Sequence, residues 1–322
     1  MRVTSNSFPS TLTAQLQDLQ QKQLKYQQQS ATGLRITQSS DDPLGFQRAQ
    51  VRQTQLSSNQ SYLDTTADAQ TLCEYNHQAM SDLQTALSRA SEIATKVSGI
   101  YDANDLLAMS EDIDGILSQV VLISNRQKDG AQLFGGTSGA KPITVSGSTY
   151  DFSGSTNSSV TQAQIAAAGT PLNTGLVAGR SPLNNSTSAA TYDGFLYDSG
   201  TSTDTLNTLI QLRDTLAAAN AGTMTVDQVA TAVQNTWLPG INKSVDLASR
   251  YVGVTAASLE SLSLNKTTLT NQVKVDKENM SAVTNVNLAE ALTNLQQTQT
   301  NYEAALQAGA KILTLSLMDY LK

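Results

Sequence analysis

Two residues of this chain invite a chemical reading before any others: Cys73, its only cysteine, and His77, its only histidine. Four residues apart on a helix, they share one face. With carboxylates to complete the set they would form a zinc site, and any catalytic triad built on histidine would have to run through His77. A simpler reading competes. Cys73 sits in the helical run Ala69-Gln-Thr-Leu-Cys-Glu-Tyr75, where it suits a small buried apolar position, with His77 as a solvated neighbour. One cysteine makes no intrachain disulfide, so cysteine usage leaves the redox compartment open.

The carboxylates lead no further. Asp41 and Asp42 are candidates for a general acid and base, but adjacent residues do not face each other on a helix. Their place just before Pro43 suits capping instead. Glu111, Asp112 and Asp114 read as a wetted helix face. Gly135, Gly136 and Gly139 are followed by no Gly-Lys-Ser/Thr, so they form no phosphate loop. The expectation is a protein with no catalytic residues, no cofactor and no metal.

The net charge of −7 and a pI near 4.7 argue against a nucleic-acid partner, which needs a basic surface. Scattered Lys and Arg argue equally against an anionic membrane surface. No run reaches the roughly 18 apolar residues of a membrane span. The start, Met1 to Pro9, has no signal-peptide core. The expectation is a chain that is cytoplasmic or exported without a cleaved signal. Hydrophobic content of 39% supports a core, but only 5% of residues are aromatic, so Ala, Leu, Val and Ile must do most of the packing.

What must be positioned here is a surface. Leu288, Leu292, Leu295, Tyr302, Leu306 and Leu313 follow a four-three spacing that puts them on one helical seam. Such a stripe in the last 35 residues needs a partner to cover it. Leu12, Leu16, Leu19 and Tyr26 repeat the spacing near the start, with Gln23 in the intervening core position. Ser10 is the expected cap of that helix, with Phe8 upstream. Two readings stand: a helix hairpin closing a globular domain, or a seam that becomes ordered on meeting another surface.

Between these ends the chain reads as nested helices. Gly33 suits a helix C-terminus, and Ser39 to Pro43 suits the start of the next helix. That helix runs to about Ser98, roughly 80 Å at 1.5 Å per residue, and a further one spans 103–128. Residues 137–203 turn rich in Gly, Ser, Thr and Asn, with β-prone pieces at 142–145, 149–152 and 194–197 and a hairpin signal at Gly147-Ser148. Helices resume at Asp204 and at Thr225. The second ends near Pro239-Gly240, and a long pattern from 241 runs into the terminal helix. The expected fold is mainly α with a small inserted β module: an elongated rod of long antiparallel helices whose N- and C-terminal segments pair as a coiled coil on assembly. The expected domains are 1–33 with 280–322, 34–136 with 204–279, and 137–203.

Three stretches resemble the bacterial flagellin superfamily. The first is Thr32-Gly-Leu-Arg-Ile36 followed by Ser40-Asp-Asp-Pro43. Gly33, Arg35, Asp41, Asp42 and Pro43 match the family turn, in the Asp-Asp-Pro form of its hook-associated branch. The second is Gly130-Ala-Gln-Leu-Phe-Gly-Gly136. The third is Asn287 to Tyr302 with Ser316 to Leu321; the close Met318-Asp-Tyr-Leu321 is again similar to the hook-associated branch. The resemblance covers roughly 1–136 and 250–322. It implies a structural flagellar protein, exported through the type III channel, whose terminal helices are disordered in the monomer and order on assembly. It implies self-association in a ring between hook and filament, with a hook-associated protein and flagellin as neighbours. It also implies an export chaperone on the C-terminal seam, which by this match extends through Leu313 to Leu317. Readings from other classes are a filament-forming member and a type III secreted adhesin or effector.

Overall fold

The structure is a computed structural model. It describes residues 7–99, 101–134, 141–146, 149–151, 162–163, 172–173 and 193–320, with side chains over 10–99, 101–134, 141–145 and 193–311. Seven α-helices are described: α1 Ser7–Thr32, α2 Pro43–Lys96, α3 Ala103–Ser124, α4 Thr205–Ala218, α5 Val226–Ala232, α6 Leu238–Thr284 and α7 Leu288–Tyr320. Two compact units divide the chain, residues 1–60 with 271–322 and residues 61–270. The mainly helical fold with small two-stranded sheets agrees with the sequence reading.

In unit 61–270, α2 and α6 run antiparallel, and polar side chains set their register. Lys266 Nζ donates to Gln70 Oε1 at 3.3 Å, Gln84 Nε2 to Ser249 Oγ at 2.9 Å, and Ser91 Oγ to Asn242 Oδ1 at 2.8 Å. Each new helix starts on a residue that satisfies its free N–H groups. Asp102 caps α3, with Asp105 completing a capping box. Asp204 caps α4, and Thr225 with Gln228 caps α5. The core is aliphatic: Met80, Leu83 and Leu87 of α2, Ile113, Ile116 and Leu117 of α3, and Leu206, Leu209 and Leu212 of α4 are all buried together. A second, small cluster joins Ala69 and Cys73 to Leu262 and Leu269.

Several expectations needed correction. Ser10 does not cap α1; that helix already includes Ser7, because Pro9 in a first turn lacks only a donor that would be unpaired there anyway. The helix over 103–128 stops at Ser124, and β1 Gln127–Lys128 pairs with β2 Ala131–Gln132. Asp129 and Gly130, both at positive φ, make the two-residue hairpin turn that an Asp-Gly pair favours. Pro239-Gly240 does not end a helix. A π-turn at Val233–Trp237 joins α5 to α6, widening the backbone just where Pro239 supplies no donor and crowds the preceding turn. The pattern from 241 does not run on unbroken either, since α6 ends at Thr284 and α7 starts at Leu288.

The hairpin expected around Gly147-Ser148 is there: β3 Thr144–Ser146 pairs antiparallel with β4 Thr149–Asp151. Short pairs β5 Gln162–Ala163 with β6 Leu172–Asn173, and β7 Tyr197–Asp198 with β8 Thr203–Asp204, follow. Residues 137–140, 147–148, 152–161, 164–171 and 174–192 lie outside the described residues. The piece at 194–197 belongs to the core: Phe195 and Leu196 are fully buried. Phe195 packs edge-on against Phe134 at 4.9 Å and Tyr251 at 6.4 Å between ring centroids.

Candidate assembly face

The unit made of 1–60 and 271–322 holds both the turn motif and the terminal helices. Its centre is the chain reversal from Gly33 to Pro43. Gly33 sits at φ +71° and donates to Gln29 O at 2.9 Å, closing α1 in the left-handed conformation that glycine adopts without strain. The chain then pairs with the break between α6 and α7. Arg35 N donates to Thr284 O at 2.7 Å and Val286 N to Gly33 O at 3.0 Å, around a bridge between Leu34 and Asn285. The Arg35 guanidinium reaches both Asp42 at 3.2 Å and Val283 O at 3.1 Å. It thereby places a cation at the negative end of α6.

Asp41 and Asp42 divide the remaining work. Asp42 Oδ1 accepts from Gly45 N at 2.9 Å, which caps α2 with Pro43 as its first residue. That N–H lowers the Asp42 carboxyl below its ordinary range against partial burial, and Arg35 lowers it further. Asp41 accepts from Thr37 N and Gln38 N, both at 3.2 Å, and pairs with Lys25 of α1 at 3.1 Å. Burial would raise its carboxyl, but the Thr37 N–H, Lys25 and the Gln38 N–H outweigh burial and hold it low. Gln29, 8% exposed, donates to Arg35 O at 3.0 Å. One short turn thus ties together α1, α2 and the α6–α7 joint.

α1 and α7 pack against each other as an antiparallel pair. Leu12 lies over Gly309, where a Cβ would come 2.6 Å from Leu12 Cδ2, and Gly33 lies beside Val286. That register brings Leu16 level with Ala305, Leu19 with Tyr302, Gln23 with Thr298 and Tyr26 with Leu295. Leu12, Leu16, Leu19, Gln23 and Tyr26 are all half-buried. On α7 the covered residues are Ala291 at 2% exposure, Leu295, Thr298 at 6%, Tyr302, Ala305 and Gly309. These recur at alternating four- and three-residue steps, the spacing of a coiled-coil seam.

The seam expected from sequence is therefore split. Leu295 and Tyr302 face α1, whereas Leu288, Leu292 and Leu306 are 50%, 53% and 45% exposed. Leu292 and Leu306, two heptads apart with Gln299 between them, lie beside the covered row, and Leu288 continues that row one heptad before Leu295 at the start of α7. Leu313 and Leu317 lie on α7, but their side chains are outside the described ones. Cys73 and His77 sit in the other unit. Cys73 is buried, which pushes its thiol up to about 11. His77 is not the solvated residue expected: it is half-buried and its Nδ1 lies 3.0 Å from Thr255 Oγ1. Among the described residues no three His, Cys, Asp or Glu gather as metal ligands, and no helix is long and apolar enough to cross a membrane.

Sequence reasoning missed the α6–α7 joint. Its signal was present: Asn287, three residues before Glu290, accepts from Ala289 N at 3.2 Å, as a residue capping a helix start does.

Residues 3–139, which take in α1, the turn, α2 and α3, match the bacterial flagellin N-terminal helical region. Among solved structures the fold is similar to three flagellar proteins. One is a flagellar hook-associated protein from Vibrio parahaemolyticus, with TM-score 0.62, 15% identity, 76% of this chain and 100% of that one. Another is the Legionella pneumophila flagellar hook-associated protein 3, with TM-score 0.57, 11% identity, 73% of this chain and 98% of that one. The third is FlgL of Xanthomonas campestris, with TM-score 0.56, 13% identity, 71% of this chain and 99% of that one. At such identities the likeness is one of fold. No curated protein matches the chain in sequence.

Proposed function

We propose that this chain is a structural axial subunit of the bacterial flagellum, an adaptor that joins hook to filament. The observation that carries this reading is the set of leucines left half exposed on α7, Leu292 and Leu306 beside its seam with α1, in a chain whose residues 3–139 match the flagellin N-terminal region. The names of its structural neighbours support the junction role over the filament role.

On this reading the terminal segments 1–33 and 280–322 are the assembly domain, completed by neighbouring subunits. Residues 34–136 and 204–279 form the helical body, and 137–203, which sends Ile143, Phe195 and Leu196 into that body's core, carry an outer module between them. Copies associate in a ring with a hook-associated protein on one side and flagellin on the other. Before export by the flagellar type III route, without a cleaved signal, a chaperone covers the seam from Leu288 through Leu317. The work is mechanical, so the reading assigns no catalysis and no cofactor.

Immunogold electron microscopy of intact cells with an antibody to this chain tests it. The expected result is one narrow labelled band between hook and filament. Label along the whole filament would make the chain a filament subunit. Flagella without label would overturn the flagellar role and leave a secreted adhesin or effector.

A further inference from the structure

We infer that a groove between the start of α2 and the end of α6 receives the outer face of α3 from a second copy of this chain. The inference rests on the reading that the chain assembles with itself. The groove, about 720 Å³, is lined by Gln47, Arg48, Val51, Arg52, Ala282 and Val283. Its floor is apolar, with Val51 60% exposed. Its wall is cationic: residues 43–60 contain Arg48 and Arg52 and no Asp or Glu. Arg52 lies 3.8 Å from Asp276, while Arg48 stands exposed beside it.

The outer face of α3 is the complement. This helix carries no Lys or Arg; its Asp105 closes the capping box and Asp112 and Asp114 pair with Arg89 and Arg213, which leaves the exposed Glu111 as the carboxylate the ridge offers. Glu111, Gly115, Ser118 and Leu122 recur along it at four-, three- and four-residue steps, and all four are exposed. Leu122, at 70%, is the most exposed of the described large apolar side chains. A Cβ on Gly115 would meet nothing within 4 Å, so a second helix can approach the backbone closely there. Such a ridge offers a leucine to an apolar floor and a carboxylate to a cationic wall, and charge complementarity selects this partner over an acidic or neutral surface.

Both faces are exposed in the single chain, so each is open to another copy. Because groove and ridge differ, the contact is head-to-tail, and its repetition gives a ring or a helical array. It adds to the contact through the terminal helices; alone, one helix in one groove falls short of the roughly 1,200 Å² of a standard stable interface.

Crosslinking full-length chains tests the pairing. In a Cys73→Ala background, a tagged Val51→Cys chain is mixed with an untagged Leu122→Cys chain under assembly conditions and mild oxidation. The expected product is the mixed disulfide dimer, in excess of either homodimer. Its yield should fall at least tenfold with Glu111→Arg and recover when the groove chain also carries Arg48→Glu. Homodimers alone overturn the inference. So does a Val51→Cys/Leu122→Cys chain that crosslinks only within itself. Sedimentation of the same samples separates the two failures. Self-association without the mixed dimer overturns this pairing alone, and no self-association at any concentration overturns the proposed function as well.

Discussion

Leu306→Asp and Leu295→Asp place the same charge on adjacent faces of α7, and their effects should differ in kind. Leu306 is 45% exposed. Burying a leucine fully contributes about 1.5–3 kcal/mol, so losing half of that costs the single chain about 1 kcal/mol. In a unit of some hundred residues this lowers Tm by about 4–8 °C. Leu295 is half-buried on the seam with α1, level with Tyr26. An aspartate there loses the apolar contact and also strands a carboxylate against the partner helix, a cost of about 3 kcal/mol or more. Assembly reverses the order of interest. If neighbours cover the Leu306 stripe, the introduced charge is buried without a partner, and a penalty of about 3 kcal/mol weakens association more than a hundredfold. Thermal melts by circular dichroism measure the first effect and sedimentation at rising concentration the second. Leu306→Asp should melt about 4–8 °C below wild type yet stay monomeric, while Leu295→Asp should melt well below both. If Leu306→Asp unfolds the terminal pair as thoroughly as Leu295→Asp, the stripe belongs to the fold of the single chain. If it assembles with unchanged affinity, the stripe is not an assembly surface.

Three further expectations follow from local geometry. The carboxyls of Asp41 and Asp42 are held low in the fold, so the stability they contribute is present above the unfolded value of about 3.9 and lost as pH falls below it. The stability gap between wild type and an Asp41→Asn/Asp42→Asn variant should stay constant from about pH 8 to about pH 5 and close below about pH 4; urea midpoints that keep the gap at lower pH would contradict this. A Cβ at Gly45 would stand 2.6 Å from Ile36 Cδ1 and closer still to Asp42 Oδ2. Gly45→Ala should therefore destabilise by about 1–3 kcal/mol through overpacking, while Gly253→Ala, with nothing within 4 Å, should stabilise by up to about 1 kcal/mol; denaturant titration of the pair gives both signs. Cys73, 1% exposed with its thiol raised to about 11, should resist alkylation in the native chain at about pH 8 and react at the rate at which its cluster opens. Rapid native labelling would show that the Ala69–Leu262 contact is not closed.

What the sequence displayed well was anything local. Gly33 ends α1 and Asp42-Pro43 starts α2 because capping depends on residues within one turn of each other. The hairpin at 144–151 follows from Gly147-Ser148 between short β-prone runs, for the same reason. Less local features were harder to read. Pro239-Gly240 looks like a stop, but whether proline ends a helix or is absorbed by a π-turn depends on what packs around it, and here Val233 and Ile241 on either side are held in the core. Phe195 and Leu196 sit in a stretch whose Gly, Ser and Thr content suggests exposure. Phe195 packs instead against Phe134 and Tyr251, which are distant in sequence. Arg35 looks like an ordinary charged turn residue until Val283, 248 positions away, supplies the carbonyl it grips.

The division of α7 follows from size as well as polarity. Leucine spacing alone predicts that α7 turns all its leucines toward its neighbour, yet α1 covers Ala291, Thr298, Ala305 and Gly309 together with Leu295 and Tyr302. At the Gly309 end of the seam Leu12 and Leu16 supply the bulk, and close packing leaves no room for equal bulk opposite. Gly309 admits Leu12 because it has no Cβ, and Ala305 lies level with Leu16 in the same register. Thr298 lies level with Gln23, so the one polar residue of the α1 seam meets another polar residue. With that face against α1, Leu292 and Leu306 beside it stay 53% and 45% exposed. A helix designed only to close its own fold would carry polar residues there. Keeping leucines on a face that α1 leaves uncovered exposes apolar surface in the single chain, and that cost is offset only where another molecule covers it.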